Sequence, residues 1–242
     1  NLTNSGYFDS NPRWVLDGNA ILFSSERYGM RNHASWGSLQ DVMIVFMNQD
    51  AYDKFRLNKE DYELLKEEEK RIASLKNKEQ KEDQKDKKGE TKLAVKEKKN
   101  IEVELKGIED RVMRLTPNSS QLGDAILSKS GDKLYYMASF EGGMDLWVSD
   151  LRSRSTKVMH KLNSGWASLE MDKDGKDLFL LGGRSMQKIS LGSERRSPIA
   201  YSAEMKLDQA AERAYMFDRV RRQEAKRFYE KNMHGVDWAK MT

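Results

Sequence analysis

One pattern occurs three times in this chain, at residues 11–29 (NPRWVLDGNAILFSSERYG), 122–142 (LGDAILSKSGDKLYYMASFEG) and 165–183 (GWASLEMDKDGKDLFLLGG). Each copy runs from an apolar or aromatic strand into Asp17-Gly18, Ser130-Gly131 or Asp174-Gly175. A polar residue follows, then a run such as Ile21-Leu22-Phe23, Leu134-Tyr135-Tyr136 or Leu178-Phe179-Leu180. Glycine is needed because a tight hairpin puts one residue at positive φ, where a side chain costs energy. Gly131 and Gly175 are 44 residues apart. A period of roughly 40 to 45 residues built from short strands is the mark of a β-propeller blade. The gap from Gly18 to Gly131 is far longer, which predicts an insertion between them.

The charge distribution locates that insertion. Of 242 residues, 34% are charged and 38% hydrophobic, but residues 58–100 alone hold 14 Lys/Arg and 12 Asp/Glu with few large apolar side chains. A nucleic-acid partner would need a concentrated basic face. Here acids and bases are mixed and the net charge is only +4, so no nucleic acid is expected. There is no cysteine, which removes disulfides, thiol chemistry and thiolate metal sites. No apolar run approaches the ~18 residues of a membrane span. The chain starts at Asn1 rather than Met and is read as a piece of something longer.

The expected fold is mainly β: a partial β-propeller of about three four-stranded blades, with a charged helical insertion and a long C-terminal helix. The blades occupy 1–203. In the first, strands begin at Asn11-Pro12-Arg13-Trp14 and fill 20–25 and 41–47, the last apolar nearly throughout. The insertion spans about 50–100. Asn58 can cap a helix whose first turn carries Glu60 and Asp61, as the helix dipole favours. Tyr62, Leu65, Ile72 and Leu75 form its thin apolar stripe. After Leu75 the charged run cannot bury enough to offset its ordering entropy, so 76–99 is expected to be a mobile, solvated loop. Residues 101–105 (IEVEL) alternate apolar and polar, as a half-exposed strand does. With 111–116 they are expected to complete the interrupted blade, resuming near Ile101. The second blade takes strands near 124–128, 133–139, 144–151 and 156–161. The third covers 164–203, with 187–190 and 197–202 as outer strands. Three blades cannot close a ring, since propellers have at least about four, so exposed edges are expected to be covered by further chain. From 204 to 232 no Gly or Pro interrupts, and Leu207, Ala210, Ala214, Phe217, Val220 and Phe228 recur at helical spacing. This predicts a long amphipathic helix packing on a neighbouring domain. Residues 204–242 are read as that linker helix and the start of a further domain.

Catalytic motifs are absent: no G-x-S-x-G elbow, no phosphate loop, no G-x-G-x-x-G. His33, His160 and His234 are scattered and have no metal spacing. Asp17, Asp132 and Asp174 sit at hairpin turns, where Asp serves local hydrogen bonding. Trp14, Trp147 and Trp166 fall at comparable blade positions and read as core, with Trp147 filling space between blades. No catalytic, cofactor-binding or metal-ligating residue is assigned, and no cofactor is expected.

In order along the chain, five stretches resemble the tricorn protease family and its bacterial homologues. The first two are NPRWVLDGNAILFSSERYG and DVMIVFMNQDAYDKF, the latter running into a Lys/Glu-rich insertion. The others are IEVELKGIEDRVMRLTP, GDKLYYMASFEGGMDLWVSDL and AERAYMFDRVRRQEAKRFYEKNMHGVDW. The resemblance implies the last blades of a second propeller plus the helix that opens a peptidase core. The parent would be a serine peptidase degrading oligopeptides, with propellers that guide or filter substrate. It also implies the remaining peptidase domains as partners, a homo-oligomer and a cytoplasmic location, with the periplasm as the alternative. In the family the catalytic histidine belongs to a Ser-His segment downstream of the HGVDW stretch, and nothing here matches it. The hairpin blades alone are shared with TolB-like propellers, so a free-standing binding or scaffold module is the alternative reading.

Overall fold

A computed structural model of the chain describes residues 1–31, 37–83, 101–182 and 185–241, with residues 73 and 76–83 described in their backbone only. His33 and most of the stretch expected to be mobile, 84–99, lie outside the described residues. The described chain divides into two units, Asn1–Ile199 and Ala200–Thr242.

The first unit holds three four-stranded antiparallel sheets, each with its strands in sequence order. They are β1 to β4 (Asp9–Val15, Ala20–Ser25, Asp41–Phe46, Val112–Arg114), β5 to β8 (Gln121–Leu127, Lys133–Ser139, Met144–Asp150, Ser155–Ser164) and β9 to β12 (Ala167–Met171, Asp177–Gly182, Ser185–Ser190, Arg195–Ile199). This is the expected row of three propeller blades. Successive side chains on a strand point to opposite faces, and here both faces are used. In β3, Val42, Ile44 and Phe46 join Leu134, Tyr136 and Ala138 of β6 in one core. From the other face of β6, Tyr135 and Met137 join Leu169, Leu178, Leu180 and Ile189 of the third sheet in a second core. The remaining face of the first sheet, with Phe23, Met43 and Val45, is buried under Ile108 with help from Leu2.

The turn glycines interlock the blades. Gly18, Gly131 and Gly175 all have positive φ, at 89°, 74° and 73°. A Cβ on Gly131 would lie 3.0 Å from Leu16 Cδ2, and one on Gly175 would lie 3.3 Å from Lys129 Cδ. Leu16 and Lys129 each stand two residues before the turn glycine of the preceding blade, so one contact repeats along the row. Ile101 takes the equivalent seat over Gly18, where a Cβ would lie 2.6 Å from its Cδ1.

The first blade does close across the insertion, but it resumes at Val112 rather than near Ile101. Residues 101–105 form no strand. The open edge of β3 is taken by β4, in the register Met43↔Arg114, Ile44↔Met113 and Val45↔Val112. Glu104 N–H reaches back to Met47 O at 2.8 Å, and the Glu104 carboxylate accepts from Gln49 N–H at 3.0 Å, but no ladder forms among the described residues. Buried Arg111 donates to the carbonyls of Phe46, Lys106 and Glu104, so a side chain uses acceptors that a ladder would need.

The insertion begins with α1 (Gln49–Arg56), capped by Asn48, and α2 (Lys59–Asp83), where Asn58 Oδ1 accepts from Asp61 N–H at 2.8 Å as expected. It is not a purely solvated element. Phe55 and Tyr62 are buried, and Phe55 stacks 4.9 Å from Phe46. Arg152 of the second blade donates to the carbonyls of Phe55 and Leu57 and to Asp132, and lies 3.8 Å over the Tyr62 ring. Helix α2 runs on to Asp83, past the expected fraying point at Leu75.

In the second unit α3 covers Gln209–Arg227, shorter at both ends than the uninterrupted pattern implied. Asp208 caps it, accepting from Ala210 and Ala211 N–H. At the other end Phe228 turns to extended backbone and its ring packs 5.8 Å from His234. The aromatic contacts Phe228–Tyr229–His234 thus replace the further helical turn. A short helix α4 (Trp238–Met241) follows.

Candidate functional site

The first strands of the three blades meet at one point. Arg13 on β1 donates through Nη2 to Asp124 Oδ2 on β5, 2.9 Å away, and through Nη1 to the Leu169 carbonyl on β9 at 3.1 Å. The Leu169 N–H returns to Asp124 Oδ2 at 2.8 Å. Glu170 Oε1 stands 3.7 Å from the same Arg13 nitrogen. Local irregularity sets this up. The β1–β2 register slips between Ser10 and Arg13, and the β5–β6 register slips between Leu122 and Ala125. An extra residue in a strand re-aims side chains, and Arg13 and Asp124 lie at those two slips.

Beside this junction the strand ends and hairpin turns line a groove of about 700 Å³. Its walls carry Arg13, Lys129 and Lys173 against Asp17, Glu170 and Asp172. Trp14 lines it as well and is 60% exposed. Trp14 and Trp166 (65% exposed) are therefore not core residues, contrary to the expectation from their blade positions. Each lies on the first strand of an outermost sheet of the row or just before it. Trp147 does fill space: it packs on the first core, donates to Ala138 O at 3.3 Å and meets Phe140 edge-on at 4.9 Å.

The turn carboxylates divide. Asp17 sits in the first turn at φ 54°. In the third turn the local acceptor is Asp172 rather than Asp174: it takes the N–H groups of Asp174, Lys176 and Asp177. Those donors, Asp177 N–H foremost, hold its carboxyl below the usual range. Ser128 has the equivalent role in the second turn, accepting from Asp132 and Lys133 N–H. Asp132 itself reaches outward to Arg152 at 3.3 Å and Lys66 at 3.2 Å, holding the insertion.

Two of the three histidines lie among the described residues, one in each unit. His160 is on β8 with its Nε2 enclosed and unpartnered; burial, then the charge of Arg196, lowers its pKa. His234 bonds the Tyr229 hydroxyl in the second unit. Among the described residues no group of His, Asp and Glu could hold a metal ion, and no described helix is long and apolar enough to cross a membrane. The junction that sequence reading missed joins residues 111 and 156 positions apart, with only the apolar–polar irregularity at Arg13 and Asp124 to mark it.

Comparison with known proteins gives the following. Residues 209–242 match the model of the tricorn protease C1 domain. The crystal structure of the tricorn protease superposes with a TM-score of 0.61 at 9% identity, covering 99% of this chain and 22% of that one. TolB from Acinetobacter baumannii gives 0.44 at 11% identity, over 81% of this chain and 33% of that chain. The β-propeller domain of the Trilobed protease from Pyrococcus furiosus, described as having an open velcro topology, gives 0.39 at 13% identity, over 80% and 43%. No curated protein matches. The chain spans 22% of the length of the tricorn protease chain it follows. In its fold and in its C-terminal segment, this chain is tricorn-like.

Proposed function

We propose that the chain is the propeller segment of a tricorn-like serine peptidase that degrades oligopeptides, with residues 1–203 as blades and 204–242 as the joint that opens the catalytic core. The observation that carries this is the match to a tricorn C1 domain from residue 209, following three blades that end at Ile199. The groove beside the Arg13–Asp124 junction is where substrate is guided. It offers both charge signs for peptide backbone and side chains, and an exposed indole for apolar ones. Its role is binding and orientation. Covalent hydrolysis needs a nucleophile beside a base, and no residue of this segment is assigned that role, His234 included. The rest of the peptidase is the segment's partner, in a cytoplasmic homo-oligomer.

The test is site mapping. A serine-directed fluorophosphonate should label the full-length protein, and mass spectrometry should place the adduct outside residues 1–242. An adduct within those residues would overturn the reading.

A further inference from the structure

A second cavity, of about 530 Å³, lies on the outer strands of the first two blades, under the insertion. Four guanidinium groups line it: Arg56 at the end of α1, Arg114 on β4, and Arg152 and Arg154 in the turn after β7. Two are fixed by carboxylates. Arg114 is 2.8 Å from the fully buried Asp41, and Arg152 is 3.3 Å from Asp132. Among the described residues, the other two have no carboxylate partner. Arg56 lies over the Tyr52 ring at 5.2 Å, and the Arg154 guanidinium has no hydrogen bond or ion pair among the described residues. Asp150 is the carboxylate in the lining, and its Oδ1 accepts from the N–H groups of Arg152 and Ser153. Apolar side chains, Leu57 and Leu115 among them, complete the wall.

We infer that this cavity binds a small organic oxyanion, a phosphate or carboxylate carrying an apolar group. Guanidinium groups suit such oxygens because they offer paired, charge-assisted donors. Two pre-fixed arginines lower the ordering cost of binding, and two unpaired ones supply the attraction. The cavity exists because Arg152 holds the carbonyls of Phe55 and Leu57 against the blade. A ligand there therefore also strengthens docking of the insertion.

The experiment is calorimetric titration of the full chain with phenyl phosphate and, separately, 3-phenylpropanoate. Saturable binding of either is expected, weakening as salt is raised. Binding of the first alone assigns the phosphate class; of the second alone, the carboxylate class. Arg154→Ala and Arg56→Ala should each weaken it roughly tenfold, the worth of one charge-assisted contact. Neither arginine holds the fold, so both variants should unfold as the parent chain does. No saturable binding of either compound, or binding unchanged in the Arg56→Ala/Arg154→Ala double variant, overturns the inference.

Discussion

Arg13 Nη2 stands 2.9 Å from Asp124 Oδ2, and this one pair, with the Leu169 backbone, ties three separate sheets together. The geometry is economical of polar groups. A single carboxylate oxygen accepts from a side chain of the first blade and a backbone N–H of the third. Arginine returns the favour by reaching the carbonyl of the same residue.

Asp124→Ala leaves the Leu169 N–H without its acceptor and takes from Arg13 Nη2 its 2.9 Å carboxylate, while Arg13 Nη1 keeps the Leu169 carbonyl. The expected loss is about 1–3 kcal/mol of unfolding free energy, the penalty of an unsatisfied buried donor. In a double-mutant cycle with Arg13→Ala, denaturant unfolding should give a coupling above about 0.5 kcal/mol. Strict additivity would mean that the junction holds nothing.

The turn glycines give a graded pair. Gly131→Ala combines positive φ with a 3.0 Å approach to the Leu16 side chain, whereas Gly175→Ala meets only the flexible Lys129 stem at 3.3 Å. Left-handed backbone alone costs about 1–2 kcal/mol for a residue with a Cβ. Thermal unfolding should show both variants destabilised and Gly131→Ala the more so.

Arg152→Ala removes the bonds to Phe55 O and Leu57 O and the contact over Tyr62. A charged hydrogen bond is worth about 1.5–3 kcal/mol. Amide exchange in α1 should accelerate while exchange in β6 stays slow. Equal acceleration in both would show that the insertion is not a separately docked element.

His160 sets a pH dependence. Burial, then Arg196, lowers its folded-state pKa, so the unfolded chain takes up a proton first as pH falls. Its contribution is fully present above the unfolded value of about 6.5 and is lost as pH falls below it. His160→Gln should flatten the stability profile on that acid side of neutrality. A profile with unchanged slope contradicts the assignment.

Much of the fold was legible because its signals are local. Strands 20–25, 41–46 and 133–139 follow from apolar runs between turns, and the glycine turns from their φ requirement. Residues 101–105 alternate as well as any strand, but alternation does not say whether a sheet edge is open. Here β4 and the Arg111 side chain had taken it. Trp14 and Trp166 look like core from blade position alone, yet position cannot say what packs beyond the outermost sheets. The Arg13–Asp124–Leu169 junction was hidden because its members meet only in three dimensions. The docking of the insertion was half visible: Tyr62 was part of an apolar stripe, while Arg152 gave no sign.

The central claim is that this segment binds and orients while chemistry resides elsewhere in a larger peptidase. The direct measurement is turnover of a fluorogenic oligopeptide by the 242-residue chain and by the full-length polypeptide. The account predicts no turnover by the chain, and turnover by the full-length protein that a serine-directed inhibitor abolishes. Turnover by the isolated chain, lost on treatment with that inhibitor, would contradict it.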